Sequence, residues 1–234
     1  MNGSKVLVYI PVNNEEQTIA QVVDGVKQSC DFDILVVDDG STDSTRDILR
    51  ELDVGILTHP VPIPSRIMSG LEVGHALDYE YVVKIDGDGQ HNPQDIIRLY
   101  KYAVETGADI VIGSRHLNGF KANKFSIKGS GMWFCSKVVS FLCRKRITDT
   151  TSGFKIWNRS SCQLAVRKFR KGKLREGSTH HIEELIIAAR NKLSVEEIEV
   201  IIYPRKNGES RSFSRVGLIG FPLNLIRSTI RALL

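Results

Sequence analysis

Short runs of apolar residues alternate along the chain with longer stretches in which apolar residues recur every three or four positions. The short runs are rich in β-branched residues, as buried strands are, and occupy residues 6–10, 34–37, 54–58, 81–85 and 110–112. The longer stretches have one apolar face at helical spacing, around residues 19–26, 48–52, 67–77 and 96–104. This alternation predicts an α/β fold with a mainly parallel, doubly wound sheet. A chain of 234 residues is long enough for one large domain of this kind.

The fourth of these runs ends abruptly in an acidic turn that reads Asp86-Gly87-Asp88-Gly89-Gln90. Two carboxylates separated by a glycine, which lets the backbone turn sharply, can converge on one hard divalent cation together with the amide oxygen of Gln90. Taken alone, the motif is also compatible with a solvated turn. A calcium-binding EF-hand loop is excluded, because its twelfth position from Asp86 requires a glutamate and is Ile97 here.

A second acidic turn follows the run at residues 34–37 and includes Asp38 and Asp39. Neighbouring parallel strands end at one edge of a sheet, where ligands bind, so both acidic turns should lie there. By itself this turn could equally be a hydrogen-bonded loop. Both turns are followed by helix start signals: a capping box at Ser44 and Asp47, and an N-cap at Asn92 before Pro93.

The net charge of +5 conceals two oppositely charged halves. Residues 1–114 hold 8 Lys and Arg against 19 Asp and Glu, a net charge of −11, whereas residues 115–234 hold 24 against 8, a net charge of +16. The basic half favours a polyanionic partner such as an anionic lipid or a diphosphate. No nucleic acid is expected, because helix-turn-helix, zinc-finger and RNA-binding signatures are absent from the sequence and only 7% of its residues are aromatic.

The remaining composition is that of a soluble protein, with 41% apolar and 25% charged residues. Its four cysteines lack CxxC spacing and are expected to be reduced thiols. The N-terminus lacks a signal-peptide pattern, so a cytoplasmic location is expected.

Two amphipathic stretches, residues 132–142 and 218–234, carry aromatic or aliphatic residues next to Arg and Lys. Neither is expected to span a bilayer of about 30 Å, because the first is too short and the second contains Arg227 and Arg231. Each could pack in the core or a dimer interface, or lie in the plane of an anionic membrane surface with its basic residues at the headgroups.

Five motifs in order resemble those of the family 2 inverting glycosyltransferases, which have the GT-A fold, and in particular the polyprenyl-phosphate glycosyltransferases. They begin at Pro11, Val36, Asp86, Gly113 and Asp149, and read PVNNEE, VVDDGSTD, DGDGQH, GSR and DTTSGF. The match covers roughly residues 5–212, and five ordered motifs are far more specific than one. The resemblance implies a catalytic domain at residues 1–212, followed by a basic amphipathic helix at residues 213–234.

The resemblance also implies roles for individual residues. The donor would be a UDP, GDP or dTDP sugar, bound by Pro11, Asn13, Glu15, Asp38, Asp39, Asp86, Gly87 and Arg205. Asp86, Asp88 and Gln90 would hold Mg²⁺ or Mn²⁺. The catalytic group would comprise Asp88, Arg115, Asp149 and Glu183, and the acceptor or its phosphate would contact Lys128, Arg205, Lys206 and Arg211. Two departures from the family pattern are a proline-rich loop at residues 59–66 and a lysine, Lys128, where an arginine is expected.

The expected reaction is metal-dependent transfer of the sugar, with inversion, to polyprenyl phosphate at the inner face of the cell membrane. The alternative acceptor is a saccharide hydroxyl, free or lipid-linked, as in cell-envelope polysaccharide synthesis, and it would need a base: Glu183 first, Asp149 second. A nucleotide-binding regulatory protein without turnover is the alternative of another class, which the intact Asp86 and Asp88 disfavour. A homodimer is also possible.

Overall fold

The computed structural model describes residues 5–59, 66–119, 127–174 and 179–204, which form seven strands and seven helices. The strands are β1 (Val6–Val12), β2 (Asp33–Asp39), β3 (Gly55–His59), β4 (Tyr81–Lys84), β5 (Ile110–Ser114), β6 (Lys155–Asn158) and β7 (Val195–Glu199). The helices are α1 (Ile19–Ser29), α2 (Thr45–Glu51), α3 (Arg66–Ala76), α4 (Gln94–Thr106), α5 (Ile127–Cys143), α6 (Arg159–Arg170) and α7 (His180–Arg190). The five strands predicted from the sequence are confirmed, and β6 and β7 are additional.

The strands form one sheet in the order β3-β2-β1-β4-β6-β5-β7. Only β6 is antiparallel to its neighbours, β4 and β5, among the strands of the described ranges. The prediction of an α/β fold with a mainly parallel sheet is therefore confirmed. Six strands end at the same edge of the sheet, and β6 begins there. The helix expected at residues 213–234 lies outside the described residues.

Both faces of the sheet are covered, which explains why β1 is an uninterrupted apolar run. Val8 and Ile10 of β1 pack on one face with apolar residues of α1 and α4. Tyr9, between them in sequence, packs on the other face with residues of α3, α5, α6 and α7, and its ring centroid lies 6.4 Å from that of Trp157. The two helical layers hold the sheet in place, so the loops at its carboxyl edge are built on a fixed base.

Of the two predicted helix caps, the structure confirms one. The side-chain oxygen of Asn92 accepts a hydrogen bond from the Gln94 backbone N–H at 3.1 Å, at the start of α4. The prediction of a capping box at Ser44 and Asp47 was wrong, because the Ser44 side chain makes no capping hydrogen bond. Asp43 replaces it: its Oδ1 accepts from the backbone N–H of Thr45 at 3.0 Å.

In the described ranges, no helix combines the length and the apolar character needed to cross a membrane. The stretch around residues 132–142 forms most of α5, which packs on the sheet through Cys135 and Val139. All four cysteines are free thiols.

Candidate active site

The acidic turn after β4 begins with an ion pair that the sequence analysis did not anticipate. The ammonium of Lys84, the last residue of β4, contacts Oδ1 of Asp86, and Nε2 of His91 lies 3.4 Å from Oδ2. Removal from water raises the pKa of Asp86, but the charge of Lys84 and the hydrogen bond from His91 outweigh this and hold the pKa well below its usual range. Asp86 is therefore a carboxylate with part of its charge already compensated.

The rest of the turn is held tightly against β1 and α1. A Cβ on Gly87 would lie 2.6 Å from Cγ1 of Val12, so only glycine allows this approach. The carbonyl of Gly87 accepts a hydrogen bond from Thr18 Oγ1 at 2.8 Å, and Gly89 has a φ of +71°. Oδ1 of Asp88 accepts from the backbone N–H of Gln90 at 3.1 Å. These contacts fix the three side chains of the predicted metal site in one short turn.

The turn also holds the segment at Ile202 and Tyr203, which precedes the predicted ligand-binding residues Arg205, Lys206 and Arg211 in the sequence. Gln90 accepts a backbone hydrogen bond from Tyr203 at 2.8 Å, and its side-chain nitrogen donates to the carbonyl of Tyr203 at 3.1 Å. His91 forms an isolated antiparallel bridge with Ile202. Arg205, Lys206 and Arg211 lie outside the described residues; Tyr203, two positions before Arg205 in the sequence, is hydrogen-bonded to the acidic turn.

The loops that follow β1 and β2 interlock at the same edge. The side-chain amide of Asn13 donates to the carbonyl of Asp39 at 2.5 Å. Asn14, with a φ of +58°, accepts from the Thr42 N–H at 2.7 Å and donates its own N–H to Ser41 at 3.0 Å. The motifs predicted to bind the donor are thus parts of one hydrogen-bonded unit.

The two aspartates of the second acidic turn differ in their surroundings. Asp38 is completely buried; it accepts from Nε of Arg46 at 2.7 Å and from the N–H of Ser41 at 3.0 Å. Its buried carboxylate therefore stabilises the turn through these two hydrogen bonds. Asp39, the last residue of β2, is also buried, and its backbone carbonyl accepts the hydrogen bond from Asn13 in the interlocked loops, where a donor could be bound.

Arg115, just after β5, is brought together with Asp149 of the DTTSGF motif. Its Nε and Nη2 donate to the two carboxylate oxygens at 2.6 and 2.7 Å, and Nη2 also donates to Thr151 Oγ1 at 2.8 Å. Burial raises the pKa of Asp149, but Arg115 outweighs it and the pKa is lower than usual. Nη1 of Arg115 has no protein partner among the residues that the structure describes, and it is the part of the guanidinium that could contact a ligand.

The other candidate base, Glu183, lies in the first turn of α7. It is buried, and one of its carboxylate oxygens accepts a hydrogen bond from Thr179 Oγ1 at 3.3 Å. Lys128, the predicted acceptor residue, falls in the first turn of α5, and its side chain is outside the described part of the protein.

Sequence reasoning missed a group of charged side chains beneath the acidic turn. Lys155 is fully buried in β6 and donates to Oε2 of Glu184 at 2.9 Å, while Trp157 donates to the other oxygen at 2.6 Å. His181 lies beside Lys155, with 3.5 Å between Nδ1 and Nζ. The signal that could have revealed this group is a lysine, Lys84, within an otherwise apolar strand.

The acidic turn offers the donor set that a hard divalent cation requires. Asp86 and Asp88 supply carboxylate oxygens and Gln90 an amide oxygen, all from one turn of five residues. The group of His180, His181 and Glu184 also has ligand atoms within 4.8 Å of one another, but the ammonium of Lys155 already supplies the positive charge there.

The chain is therefore an α/β protein whose candidate active site lies at the carboxyl edge of a mainly parallel sheet, the edge at which such folds bind ligands. Residues 7–169 match the model of glycosyl transferase family 2, and the chain belongs to this family. It is a glycosyltransferase, as its sequence motifs predicted.

Three curated relatives are similar over most of their length. The chain is 27% identical to the UDP-N-acetylglucosamine–dolichyl-phosphate N-acetylglucosaminyltransferase of Methanococcus voltae, with 86% of each chain covered. It is 29% identical to the polyprenol monophosphomannose synthase of Mycolicibacterium smegmatis, with 88% of this chain and 80% of the relative covered. It is 28% identical to the undecaprenyl-phosphate mannosyltransferase of Micrococcus luteus, with 92% and 90% covered.

Among solved structures, the chain is similar to glucosyl-3-phosphoglycerate synthase from Mycobacterium tuberculosis in complex with Mn²⁺, UDP and glucosyl-3-phosphoglycerate. The TM-score is 0.70 at 19% identity, with 98% of this chain and 80% of that chain covered. A second structure of the same enzyme, with Mg²⁺ and UDP, gives a TM-score of 0.69. The predicted GT-A fold is thereby confirmed.

Proposed function

We propose that this family 2 glycosyltransferase transfers a sugar from a nucleoside diphosphate sugar to a polyprenyl phosphate, with inversion at the anomeric carbon. The names of all three curated relatives include a dolichyl, polyprenol or undecaprenyl phosphate carrier. The structural observation that carries the proposal is that both candidate bases have other partners. Asp149 is in a two-point ion pair with Arg115, and Glu183 is buried against Thr179.

The chemistry of the acceptor explains why this observation matters. A phosphate monoester has a second pKa of about 6, so at neutral pH it is already an anionic nucleophile. A sugar hydroxyl keeps its proton at that pH, and a positioned base typically contributes about 10²–10⁴-fold to its reaction. A site whose carboxylates are engaged in ion pairs and internal hydrogen bonds is suited to the acceptor that needs no base.

Asp86, Asp88 and Gln90 would hold Mg²⁺ or Mn²⁺ at the acidic turn. When bound, such a cation neutralises charge that builds on the leaving nucleoside diphosphate. The interlocked loops of β1 and β2 hold Asn13 and Asp39 where they can bind the nucleoside. Nη1 of Arg115 is available to contact a diphosphate oxygen, and the predicted ligand-binding residue Arg205 follows in sequence two positions after Tyr203, which is hydrogen-bonded to the acidic turn. The acceptor oxygen attacks the anomeric carbon opposite the leaving diphosphate, and this single displacement inverts it.

The outer face of α5 supports the proposed lipid acceptor. Trp133, Phe134 and Phe141 are 44%, 54% and 82% exposed, although the opposite face of the helix is packed in the core. Lys137 lies over the Trp133 ring, 5.5 Å from its centroid, and three exposed basic residues follow the helix: Arg144, Lys145 and Arg146. Exposed aromatic rings next to basic residues suit the headgroup region of an anionic membrane. We therefore place the enzyme at the inner surface of the cell membrane.

A panel of nucleotide sugars tests the proposal. Each donor is incubated with Mn²⁺ or Mg²⁺ and polyprenyl phosphate, and release of the nucleoside diphosphate is measured. We expect one donor to give release that depends on both the lipid and the cation. If every donor is inactive with polyprenyl phosphate but one is active with a lipid-linked saccharide, the proposed acceptor is wrong.

A further inference from the structure

Two lysines lie directly opposite each other in the sheet, beneath the acidic turn. Lys84 of β4 pairs in register with Lys155 of β6, so both side chains lie on the same face of the sheet. They are only 4% and 0% exposed. Like charges directly opposite each other destabilise a sheet, and burying an ammonium is costly even when it is paired. Apolar residues in place of buried ion pairs often give equal or higher stability, so stability is weak grounds for this arrangement.

Each lysine has its own carboxylate. Lys155 is paired with Glu184, which is held in turn by Trp157, and Lys84 is paired with Asp86. Burial, followed by the charges of Lys155, His180 and Lys84, holds the pKa of His181 well below its usual range, so His181 adds no third positive charge. Glu184 is the ion-pair partner of Lys155, and Asp86 is the ion-pair partner of Lys84.

The backbone above this pair leaves room for the ammonium. A Cβ on Gly153, in the DTTSGF motif, would lie 2.7 Å from Nζ of Lys84 and 3.6 Å from Oδ2 of Asp86. The Lys84 ammonium is the flexible end of a long side chain, so a methyl group at residue 153 would displace it from Asp86 and leave the backbone in place. The lack of a side chain at Gly153 thus leaves the space that the Lys84 ammonium occupies beside Asp86.

We infer that Lys84 is a positioning residue of the transferase: its ammonium fixes the Asp86 carboxylate in one orientation and compensates part of its charge. This role rests on the proposed cation at that turn. Without Lys84, the Asp86 carboxylate would lose this fixed orientation and part of its charge compensation. The turn then binds a divalent cation more tightly but holds it in an unproductive arrangement.

The test compares Lys84→Met, Lys84→Arg and Gly153→Ala with a matched control, the double variant Lys155→Met/Glu184→Gln. The control removes the opposite ion pair and keeps an oxygen for Trp157. Three quantities are measured without any acceptor: Mn²⁺ affinity by electron paramagnetic resonance, the rate of metal-dependent donor hydrolysis, and the melting temperature. Because no acceptor is used, an error in the proposed acceptor would leave these results unchanged.

We expect Lys84→Met to bind Mn²⁺ about tenfold more tightly and to hydrolyse the donor about a hundredfold more slowly, with little change in melting temperature. Gly153→Ala should likewise raise the Mn²⁺ affinity and lower the hydrolysis rate. Lys84→Arg should keep most of the wild-type rate. The control variant should match the wild type in both rate and Mn²⁺ affinity. A Lys84→Met rate within about threefold of wild type would overturn the inference, as would a loss of rate with unchanged Mn²⁺ affinity. If Lys84→Met does not fold, the Mn²⁺ affinity and hydrolysis rate of Gly153→Ala test the inference instead. A wild-type protein that binds no Mn²⁺ would contradict the proposed metal site itself, and with it this role of Lys84.

Discussion

Arg115 and Asp149, 34 positions apart in the chain, face each other in a two-point ion pair of 2.6 and 2.7 Å. The parallel geometry of a guanidinium and a carboxylate makes this the strongest type of charged hydrogen bond. It ties the end of β5 to the loop before β6, and it leaves Asp149 unsuited to accept a proton from a substrate.

The Arg115–Asp149 pair predicts how stability depends on pH. The folded pKa of Asp149 is below that of the unfolded chain, about 3.9, so the pair stabilises the fold above about pH 4 and this contribution is lost as the pH falls through the folded pKa. Asp149→Asn should cost about 2 kcal/mol at pH 7, with a smaller difference from wild type at pH 3. Urea denaturation at the two pH values measures this.

A surface pair provides the control for that experiment. Asp78 lies 3.3 Å from Arg159, and both side chains are exposed, so Asp78→Asn should change stability by less than about 1 kcal/mol at either pH. A difference for Asp149→Asn that is equal at pH 7 and pH 3 would contradict the assignment of the lowered pKa.

The proposed cation predicts the effect of removing Asp88. Asp88→Ala should lower turnover about a thousandfold or more, because compensation of the leaving diphosphate is worth several kcal/mol. EDTA should have the same effect on the wild type. The variant should still fold, since Asp88 is half-exposed, and Asp53→Ala, at an exposed aspartate distant in sequence, should be fully active. Full activity in EDTA would contradict the proposed metal dependence.

Much of this site could be predicted from the sequence because its motifs are local. An apolar strand followed by Asp-Gly-Asp is visible within ten residues, and the structure places that turn as expected. The strands β6 and β7 escaped prediction for physical reasons. β6 has only four residues, two of them the charged or polar Lys155 and Asn158, and three of the five residues of β7 are glutamates.

The sequence alone does not reveal which strands and side chains pair when they are far apart along the chain. The position of β6 between β4 and β5 is set by contacts across the sheet, and only this position puts Lys155 opposite Lys84. In the same way, Asp149 was a candidate base until the fold placed Arg115 against it. The catalytic and binding roles of all the predicted site residues stay predictions, and Arg205, Lys206, Arg211 and the side chain of Lys128 also lie outside the described residues.

The effect expected from replacing Glu183 depends on whether the acceptor is a phosphate or a hydroxyl. If the acceptor is a phosphate, Glu183→Gln should keep its rate on polyprenyl phosphate within about threefold, because the amide oxygen can still accept the hydrogen bond from Thr179 and no base is needed. The pH–rate profile of the wild type should then have no acidic limb that is lost in Glu183→Gln. A loss of a hundredfold or more, with unchanged donor affinity, would identify Glu183 as a base.

The membrane surface is tested on α5. The double variant Trp133→Ser/Phe134→Ser should bind vesicles of anionic lipid more weakly than wild type, and added salt should weaken binding further. Leu77→Ser is a matched control, because Leu77 is as exposed as Phe134, at 54%, but lies after α3. Deletion of residues 216–234 should also reduce binding. Equal flotation with neutral and anionic vesicles would contradict the electrostatic part of this proposal.

The most direct test of the central claim is a competition between acceptors. The wild-type enzyme, its active radiolabelled nucleotide sugar and Mn²⁺ are mixed with equal amounts of polyprenyl phosphate, the corresponding polyprenol and a lipid-linked saccharide, and the products are separated. Polyprenol has the same chain but ends in a hydroxyl, so it isolates the contribution of the phosphate. We predict label on polyprenyl phosphate alone; label on the lipid-linked saccharide, with none on polyprenyl phosphate, would contradict the claim that the acceptor is a lipid phosphate.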